Sequence, residues 1–415
     1  MARDPAEGRG GRLLVLGAGP AQLGLLEAAR ARGLYVVAAD RDPKAPGFRL
    51  ADRRAIVSVE DEPAIGRLAE AERVGGIVAP GIDWPVAIAA RVAARIGLPH
   101  PVEPATATLA TNKLRQRERF ALDGVPHARF EMCATLAEVE AAARRLGYPC
   151  VLKAPDRQGQ KGLAFVAAEG QLEAAFALAH AAARSGVVLV EEAVAGREVT
   201  VNAFSVEERF HPLTVTDRLV AEPPAFGVAL AHVWPSSLEP EQIGAAVEAA
   251  RTAAVSLGIR EGPTYTQVLV AEDGPRVGEL AARLGGGHDA ELCRAALGVD
   301  LNELALAAAL GEPVGEDALR PVSPAGGACV RFLVAPPGVL EAVEGIDQAE
   351  ASEGVVRVRV YREPGHAFGP LLRGSDRAGA VLAVGETRDE ALARAESASE
   401  RIRFQTVDAA VTQPT

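Results

Sequence analysis

The apolar run Cys150-Val151-Leu152-Lys153-Ala154 carries a single charge, at Lys153. An ammonium at the end of a buried strand costs free energy unless an anion answers it, and a bound phosphate would do so. The stretch Asp156-Arg157-Gln158-Gly159-Gln160-Lys161-Gly162 follows directly. Its glycines can turn backbone N–H groups inward around an anion, and Lys161 adds charge. By itself this is only a basic hairpin. It is not a P-loop, because the Gly-x-x-x-x-Gly-Lys-Ser/Thr spacing and the helix behind it are missing.

Farther on, the apolar Val187 to Val190 runs into Glu191-Glu192, and a Gly196-Arg197 turn precedes Glu198. Carboxylates here can accept hydrogen bonds from an adenine amino group and ribose hydroxyls, while the backbone at Ala193 and Val194 can meet adenine edges. Solvated glutamates beside a turn are the plainer alternative. Tyr265 to Val270, the Asp273-Gly274 turn and Arg276 to Ala281 then predict a hairpin that sets Gln267 opposite Glu279. Oxygen donors on adjacent strands suit Mg2+, which keeps waters and bridges to nucleotide phosphates. Arg283 and the run Gly285-Gly286-Gly287 can offer a guanidinium and backbone donors to a carboxylate or phosphoryl group. His288 could lie near the cleft, but reads better as a helix-capping or packing residue. Arg218, beside Asp217, is either half of a surface ion pair or a phosphate contact. Arg331, alone among apolar neighbours from Cys329 to Val334, could hold a substrate carboxylate or close a salt bridge at the core edge. His366, Arg373 and Arg377 fall in glycine-rich turns where a substrate could be selected.

These residues need a scaffold, and the first hundred positions predict part of one. Strands at Arg12 to Leu16, Tyr35 to Ala39, Ile56 to Val59 and Gly76 to Val78 alternate with helices ending near Arg32, Glu72 and Ile96. That order implies parallel strands covered by helices on both faces. Gly17, Gly19 and Asp40 fit the opening of a dinucleotide fingerprint, but Gln22 stands where its third glycine belongs, so a tight structural turn is the better account. Asp83 and Trp84 follow a strand and could line a cleft or simply cap and pack. Thr106 to Phe120 reads as a polar linker entering a helix, with Asn112 and Lys113 near its start. Thr135 with Glu138, and Thr387 with Glu390, form capping boxes that open later helices. Strands at Val355 to Val360 and Val381 to Val384 suggest a terminal subdomain packed on the main sheet. The boundaries that follow are a loose tail at 1–10, an N-terminal α/β domain at 11–104, a central core at 105–322 with a lid near 127–193, and a C-terminal subdomain at 323–415. Residues after Val407 read as a frayed tail.

At 415 residues the chain should form more than one domain, and its net charge of -11 gives no general attraction to nucleic acid or anionic lipid. No apolar stretch is both long and uncharged enough to span a bilayer. The four cysteines are scattered without ligand spacing, as buried thiols in a cytoplasmic protein would be.

Taken in order, Val151-Leu152-Lys153 with Gly159-Gln160-Lys161-Gly162, Val190-Glu191-Glu192 with Gly196-Arg197-Glu198, and Glu279-Leu280-Ala281-Ala282-Arg283-Leu284-Gly285-Gly286 resemble the ATP-grasp family of carboxylate-amine ligases. The resemblance implies a mixed α/β and α+β fold: an N-terminal parallel-sheet domain, a small lid, and a larger catalytic domain with a terminal subdomain. It implies that Lys113 and Lys153 bind ATP phosphates, that the loop Gln158, Gly159, Gln160, Lys161 and Gly162 closes over them, that Glu191, Glu192 and Val194 hold adenine, and that Glu198 meets ribose. Gln267 and Glu279 fall at the positions for Mg2+ or Mn2+, and Arg283, Lys153 and Arg331 at positions that act on the reacting groups. The usual first acidic metal ligand is Gln267 here, and the usual Asn beyond Glu279 is Ala281, so metal affinity is expected to be reduced. The implied reaction forms an acyl phosphate and then an amide between a small carboxylate and an amine, in a cytoplasmic homodimer without nucleic-acid or membrane partners. Amino-acid ligation leads among substrates. A purine-pathway phosphoribosyl ligase or transformylase, and an ATP-binding regulator with an impaired metal centre, are the alternatives.

Overall fold

Leu13 and Val15 point into one apolar cluster, whereas Leu14 and Leu16 point into another. A strand apolar on both faces must be covered twice, and this one is the centre of a parallel sheet. Its order is Arg53–Ile56, Tyr35–Asp40, Arg12–Leu16, Gly76–Val78. Helix Leu23–Ala31 covers one side and helix Trp84–Ile96 the other. The third strand begins earlier than the apolar Ile56 to Val59 suggested. It is an edge strand, so Arg53 and Arg54 can stay exposed while its backbone pairs with Val37–Asp40. A computed structural model describes residues 11–222 and 224–408; the tail expected at 1–10, and all but Asp408 of the tail expected after Val407, lie outside them.

The lid is a four-stranded sheet, Phe130–Cys133, Val188–Glu192, Cys150–Lys153 and Leu163–Val166. Helices Leu136–Leu146 and Leu172–Ala182 pack on one face through Val139, Ala142, Leu172 and Ala179. The Thr135 hydroxyl accepts from Glu138 N and the Glu138 carboxylate accepts in return, as the capping pattern requires.

The largest sheet has eight antiparallel strands, ordered Gly274–Ala281, Gly262–Ala271, Arg197–Val206, Arg209–Val220, Ala229–Trp234, Gly327–Leu333, Gly379–Gly385, Val355–Val360. The strands of the expected terminal subdomain join the main sheet edge to edge rather than packing across its face. Gly327–Leu333, Gly379–Gly385 and Val355–Val360 hydrogen-bond onto the central strands through Ala231↔Arg331 and Cys329↔Ala383. A small sheet of Ala367–Phe368, Gly338–Glu344 and Arg403–Val407 lies beyond them. Helix Pro240–Ser256 meets the central sheet through Ala246, Ala249, Ala250 and Ala253, a close approach that suits a chain poor in aromatics. The four cysteines are buried and unpaired, and no described helix is long and apolar enough to cross a membrane.

The polar linker and helix expected across Thr106 to Phe120 resolve into two helices, Pro104–Ala110 and Lys113–Asp123. The break is chemical: Asn112 takes an extended backbone and its side chain accepts from Arg115 N at 3.2 Å. This cap puts Lys113 on the first turn, facing the sheet edge.

Candidate active site

A cavity of about 580 Å³ separates the lid from the central sheet. Lys113 enters it from the new helix start. Its Nζ lies 2.8 Å from Glu279 Oε2 and donates to Arg157 O at 2.8 Å, so one ammonium ties the lid hairpin to the strand carboxylate. Burial opposes ionisation of Glu279, but Lys113 and then Arg283 outweigh it and hold the carboxyl down to about 2. Burial works against the Lys113 charge too, yet Glu279 and Asp83 raise its pKa.

Lys153 ends its strand 2.5 Å from Glu191 Oε2, and Arg117 Nε approaches Glu191 Oε1 at 2.6 Å. Burial disfavours the Glu191 anion; Arg117 and Lys153 reverse that and bring its carboxyl to about 2. The adenine role expected of the glutamate side chains needs correction. Both Glu191 oxygens face cations, and the Glu192 carboxylate accepts from Arg129 N at 2.9 Å and Arg129 Nε at 2.6 Å. Glu191 and Glu192 still border the cavity beside Ala193 and Val194, but with their carboxylates engaged it is the backbone of that segment that stays open to a ligand, and Glu191 fixes Lys153 next to it.

Glu198 and Arg218 sit side by side on neighbouring strands and form an ion pair, and Arg218 Nη2 donates to Gly227 O at 3.2 Å. Glu198, Gln158, Gly159, Gln160, Lys161 and Gly162 all line the cavity. The hairpin loop from Gln158 to Gly162 is tied to three separate segments. Gln158 accepts from Asp83 N; Gln160 accepts from Gly374 N at 3.2 Å and donates to Gly227 O at 3.4 Å. Gln160 does so with φ +63, in the left-handed region.

Gln267 stands opposite Glu279 in the hairpin register. Its amide nitrogen donates to Tyr265 Oη at 3.1 Å, which leaves the carbonyl oxygen as the end available to a cation. One carboxylate and one amide oxygen do not make an all-protein cage, and no cluster of three or more His, Cys, Asp or Glu ligands exists among the described residues. Such a donor pair fits Mg2+ that completes its shell with phosphate oxygens and water.

The cavity continues into a chamber of about 340 Å³ lined by Glu279, Arg283, His232, Tyr361 and Arg377. Arg283 Nε donates to Asp83 Oδ1 at 2.8 Å, so the N-terminal domain orients this guanidinium. Gly287 must be glycine for space, since a Cβ there would come within 2.5 Å of His232 Cε1. The glycine turn near the N-terminus forms another wall. There Gln22 accepts from Gly19 N at 2.9 Å and donates to Pro80 O at 2.6 Å, while Asp40 accepts from Ala18 N at 2.9 Å. Gln22 and Asp40 thus serve the turn itself, which explains the broken fingerprint.

Arg331 does not join this group. Val330 and Phe332 belong to the core cluster on the cleft side, whereas Cys329 packs under helix Arg388–Arg401. Strand alternation turns Arg331 to the Cys329 face, away from His232, because side chains switch sides at every residue. In the chamber, the terminal strands supply Arg377 instead. Its guanidinium lies 3.7 Å from the Phe332 ring centroid, and burial lowers its pKa. Arg117, Tyr361 and the His232–Asp289 pair, at 3.2 Å, escaped the sequence reading. Only Arg117 left a usable signal: it shares a helix face with Lys113 at i+4 spacing.

Residues 118–288 match the family model described as ATP-grasp domain, and residues 331–407 match L-amino acid ligase C-terminal domain 2. The chain is 30% identical over 406 residues to a formate-dependent phosphoribosylglycinamide formyltransferase of Burkholderia pseudomallei, covering 94% of this chain and 95% of that one. Among solved structures it resembles an L-amino acid ligase from Bacillus licheniformis, with a TM-score of 0.81, 22% identity, and coverage of 96% of this chain and 100% of the other. It also resembles the biotin carboxylase domain of the Hydrogenobacter thermophilus 2-oxoglutarate carboxylase, solved with MgADP and bicarbonate, with a TM-score of 0.78, 19% identity, and coverage of 96% and 92%.

Proposed function

The chain belongs to the ATP-grasp family, and on that premise we propose that it is an ATP-dependent ligase that activates a small carboxylate as an acyl phosphate and joins it to an amine. The observation that carries this reading is the convergence of Lys113, Lys153 and Glu279 on one cavity that opens, past Glu279, into a second chamber where Arg283 lies. ATP would lie with its adenine beside Ala193 and Val194 and its triphosphate under the hairpin from Gln158 to Gly162. Lys113 and Lys153 would neutralise charge on the phosphate oxygens, a contribution that grows where water is excluded. Glu279 and Gln267 would hold Mg2+, which when bound supplies positive charge to those same oxygens. Arg283, fixed by Asp83, would orient the substrate carboxylate and steady the acyl phosphate. Closure through Gln158 and Gln160 would keep water from that intermediate.

The substrates favoured are amino acids. The match at 331–407 supports that reading, and Arg377 offers a guanidinium for the carboxylate of an amine-bearing partner. A second reading, a phosphoribosyl amine as nucleophile and formate as carboxylate, is favoured by the near full-length similarity to the formyltransferase. The two separate in one assay. Release of ADP is measured with pairs of common L-amino acids, and with phosphoribosylglycinamide plus formate, and the joined product is weighed by mass spectrometry. Amino-acid pairs are expected to yield a dipeptide. ATP binding without turnover in either arm would sink the ligase reading.

A further inference from the structure

We propose that Tyr361, His288 and Glu291 form a proton-accepting chain for the amine half of the reaction, an inference that rests on the ligase reading above. Aminolysis of an acyl phosphate needs more than an electrophile. The attacking nitrogen must lose a proton as its bond to carbon forms, and a group in the chamber has to receive it.

His288 was expected to cap or pack. It occupies the cap position of helix Asp289–Leu297, but its side chain makes no capping bond there. It holds φ +60, a left-handed conformation that is uncommon outside glycine, although His adopts it more readily than most residues. The ring instead reaches a different strand end: Nε2 lies 2.6 Å from Tyr361 Oη, and Nδ1 lies 3.4 Å from Glu291 Oε1. Phe332 stacks on it with centroids 6.4 Å apart and planes inclined by 29°. Glu291 is anchored in turn. Arg359 Nη2 is 3.5 Å from its Oε1, and Glu27 holds that guanidinium through contacts of 3.0 and 2.9 Å.

The chain has a direction. An ionised carboxylate only accepts, so Nδ1 carries the ring proton toward Glu291, and the neutral imidazole presents Nε2 as an acceptor. Tyr361 then donates its hydroxyl proton to Nε2. The lone pairs of its oxygen remain for a donor in the chamber that Tyr361 shares with Arg283 and Glu279. Burial raises the Tyr361 pKa, so the phenol keeps its proton between turnovers. Burial opposes the Glu291 charge, but the hydrogen bond donated by His288 and the Arg359 guanidinium prevail and lower its carboxyl.

In the reaction the amine nitrogen bonds to the acyl carbon, and the carbon–oxygen bond to phosphate breaks. The nitrogen's proton passes to Tyr361 Oη while the phenolic proton passes to His288 Nε2. His288 becomes an imidazolium beside the Glu291 anion. It returns the proton to water or to the departing phosphate when the lid opens. Tyr361 touches the amine; His288 and Glu291 are positioning residues acting through it. His232, paired with the buried Asp289, lines the same chamber and is the rival acceptor.

The test uses two nucleophiles on the full-length protein. Hydroxylamine is weakly basic and uncharged at neutral pH, so it captures an acyl phosphate with little need of an acceptor. Wild type and the variants Y361F, H288Q, E291Q and H232Q are each given ATP, Mg2+ and common L-amino acids, with hydroxylamine or with the best amino-acid partner. Y361F and H288Q are expected to lose amide formation by about 100-fold while hydroxamate formation falls far less. E291Q should show a smaller loss with the same selectivity. Retained hydroxamate proves each variant folded, and H288Q decides if Y361F does not fold. Equal losses of both products would assign these residues a structural role and overturn the chain. A selective loss confined to H232Q would overturn it in favour of the rival pair. A wild type that makes neither product with any carboxylate would sink the ligase reading itself.

Discussion

Lys113 Nζ and Glu279 Oε2 meet at 2.8 Å, joining the first turn of a helix to the strand carboxylate best placed for a cation. The pair fixes a charge balance that bound nucleotide and Mg2+ would have to rearrange. Glu279→Gln is expected to cut ATP cleavage by about 100-fold, because even an outer partner of a metal ligand costs about 10- to 100-fold. Steady-state ADP release checks this, and a loss below tenfold would remove Glu279 from the metal site.

The same pair sets a pH signature. The Glu279 carboxyl falls from 4.5 to about 2 in the folded chain, so its stabilising contribution is complete above the unfolded value and disappears as pH falls through that window. Thermal melts of wild type and Glu279→Gln should therefore converge between pH 4.5 and about 2. The Lys113 pKa is raised, so its contribution is complete below the ordinary lysine value of 10.5 and is lost only as pH rises beyond it. A constant gap between the melts across the acid window would contradict the assignment.

Arg117 and Glu191 are almost wholly buried, with side-chain exposures of 1% and 3%. Removing one partner of such a pair leaves an under-compensated charge. Arg117→Met should destabilise the fold by about 3 kcal/mol in urea unfolding, the lower end for broken buried pairs because Lys153 remains. It should also loosen Lys153 and weaken ATP binding. A change under about 1 kcal/mol would mean that Lys153 alone neutralises Glu191.

Much of this arrangement was legible where local rules decide it. The Asp273-Gly274 turn and strand alternation pointed to a hairpin that brings Gln267 near Glu279, although the exact pairing depends on a register shift between Gln267 and Val268, and the Asn112 cap explains why Lys113 faces the cleft. What escaped depends on partners distant in sequence. Arg117 and Glu191 are 74 positions apart, and nothing near Glu191 reveals that its oxygens are already engaged. Arg331 had the right residue type in the right strand, but its face was set by helix Arg388–Arg401 covering the other side. Tyr361 and His288 lie 73 positions apart and meet only because the terminal strands extend the central sheet.

Gln160 links the lid tip to Gly374 N and Gly227 O. Gln160→Gly keeps the left-handed backbone comfortable while removing the side-chain bonds, each worth about 1 kcal/mol. The closed lid should lose about tenfold or more in population. The expected readout is a higher ratio of ADP released to product joined, since water gains access to the intermediate. An unchanged ratio would show that closure does not depend on these bonds.

Arg377 supplies the sharpest test of substrate class. Among the described residues no carboxylate stands within 4.0 Å of its guanidinium. Its Nε donates to Gly374 O at 2.7 Å, and its plane lies over Phe332. Burial lowers its pKa, so an anionic ligand would relieve a cost that the folded chain otherwise carries. A hydrogen bond to a charged group contributes about 1.5–3 kcal/mol, which corresponds to a rise in KM of about 10-fold to 100-fold when it is lost. Arg377→Met is therefore expected to raise KM for an amine substrate bearing a carboxylate by that factor, with kcat less affected. The same substrate with its carboxylate amidated should bind the wild type poorly and be nearly indifferent to the mutation. Arg377→Lys should recover only part of the affinity, because a point charge cannot reproduce the planar guanidinium. Equal sensitivity of the free and amidated substrates to Arg377→Met would show that Arg377 shapes the chamber wall without touching the anion.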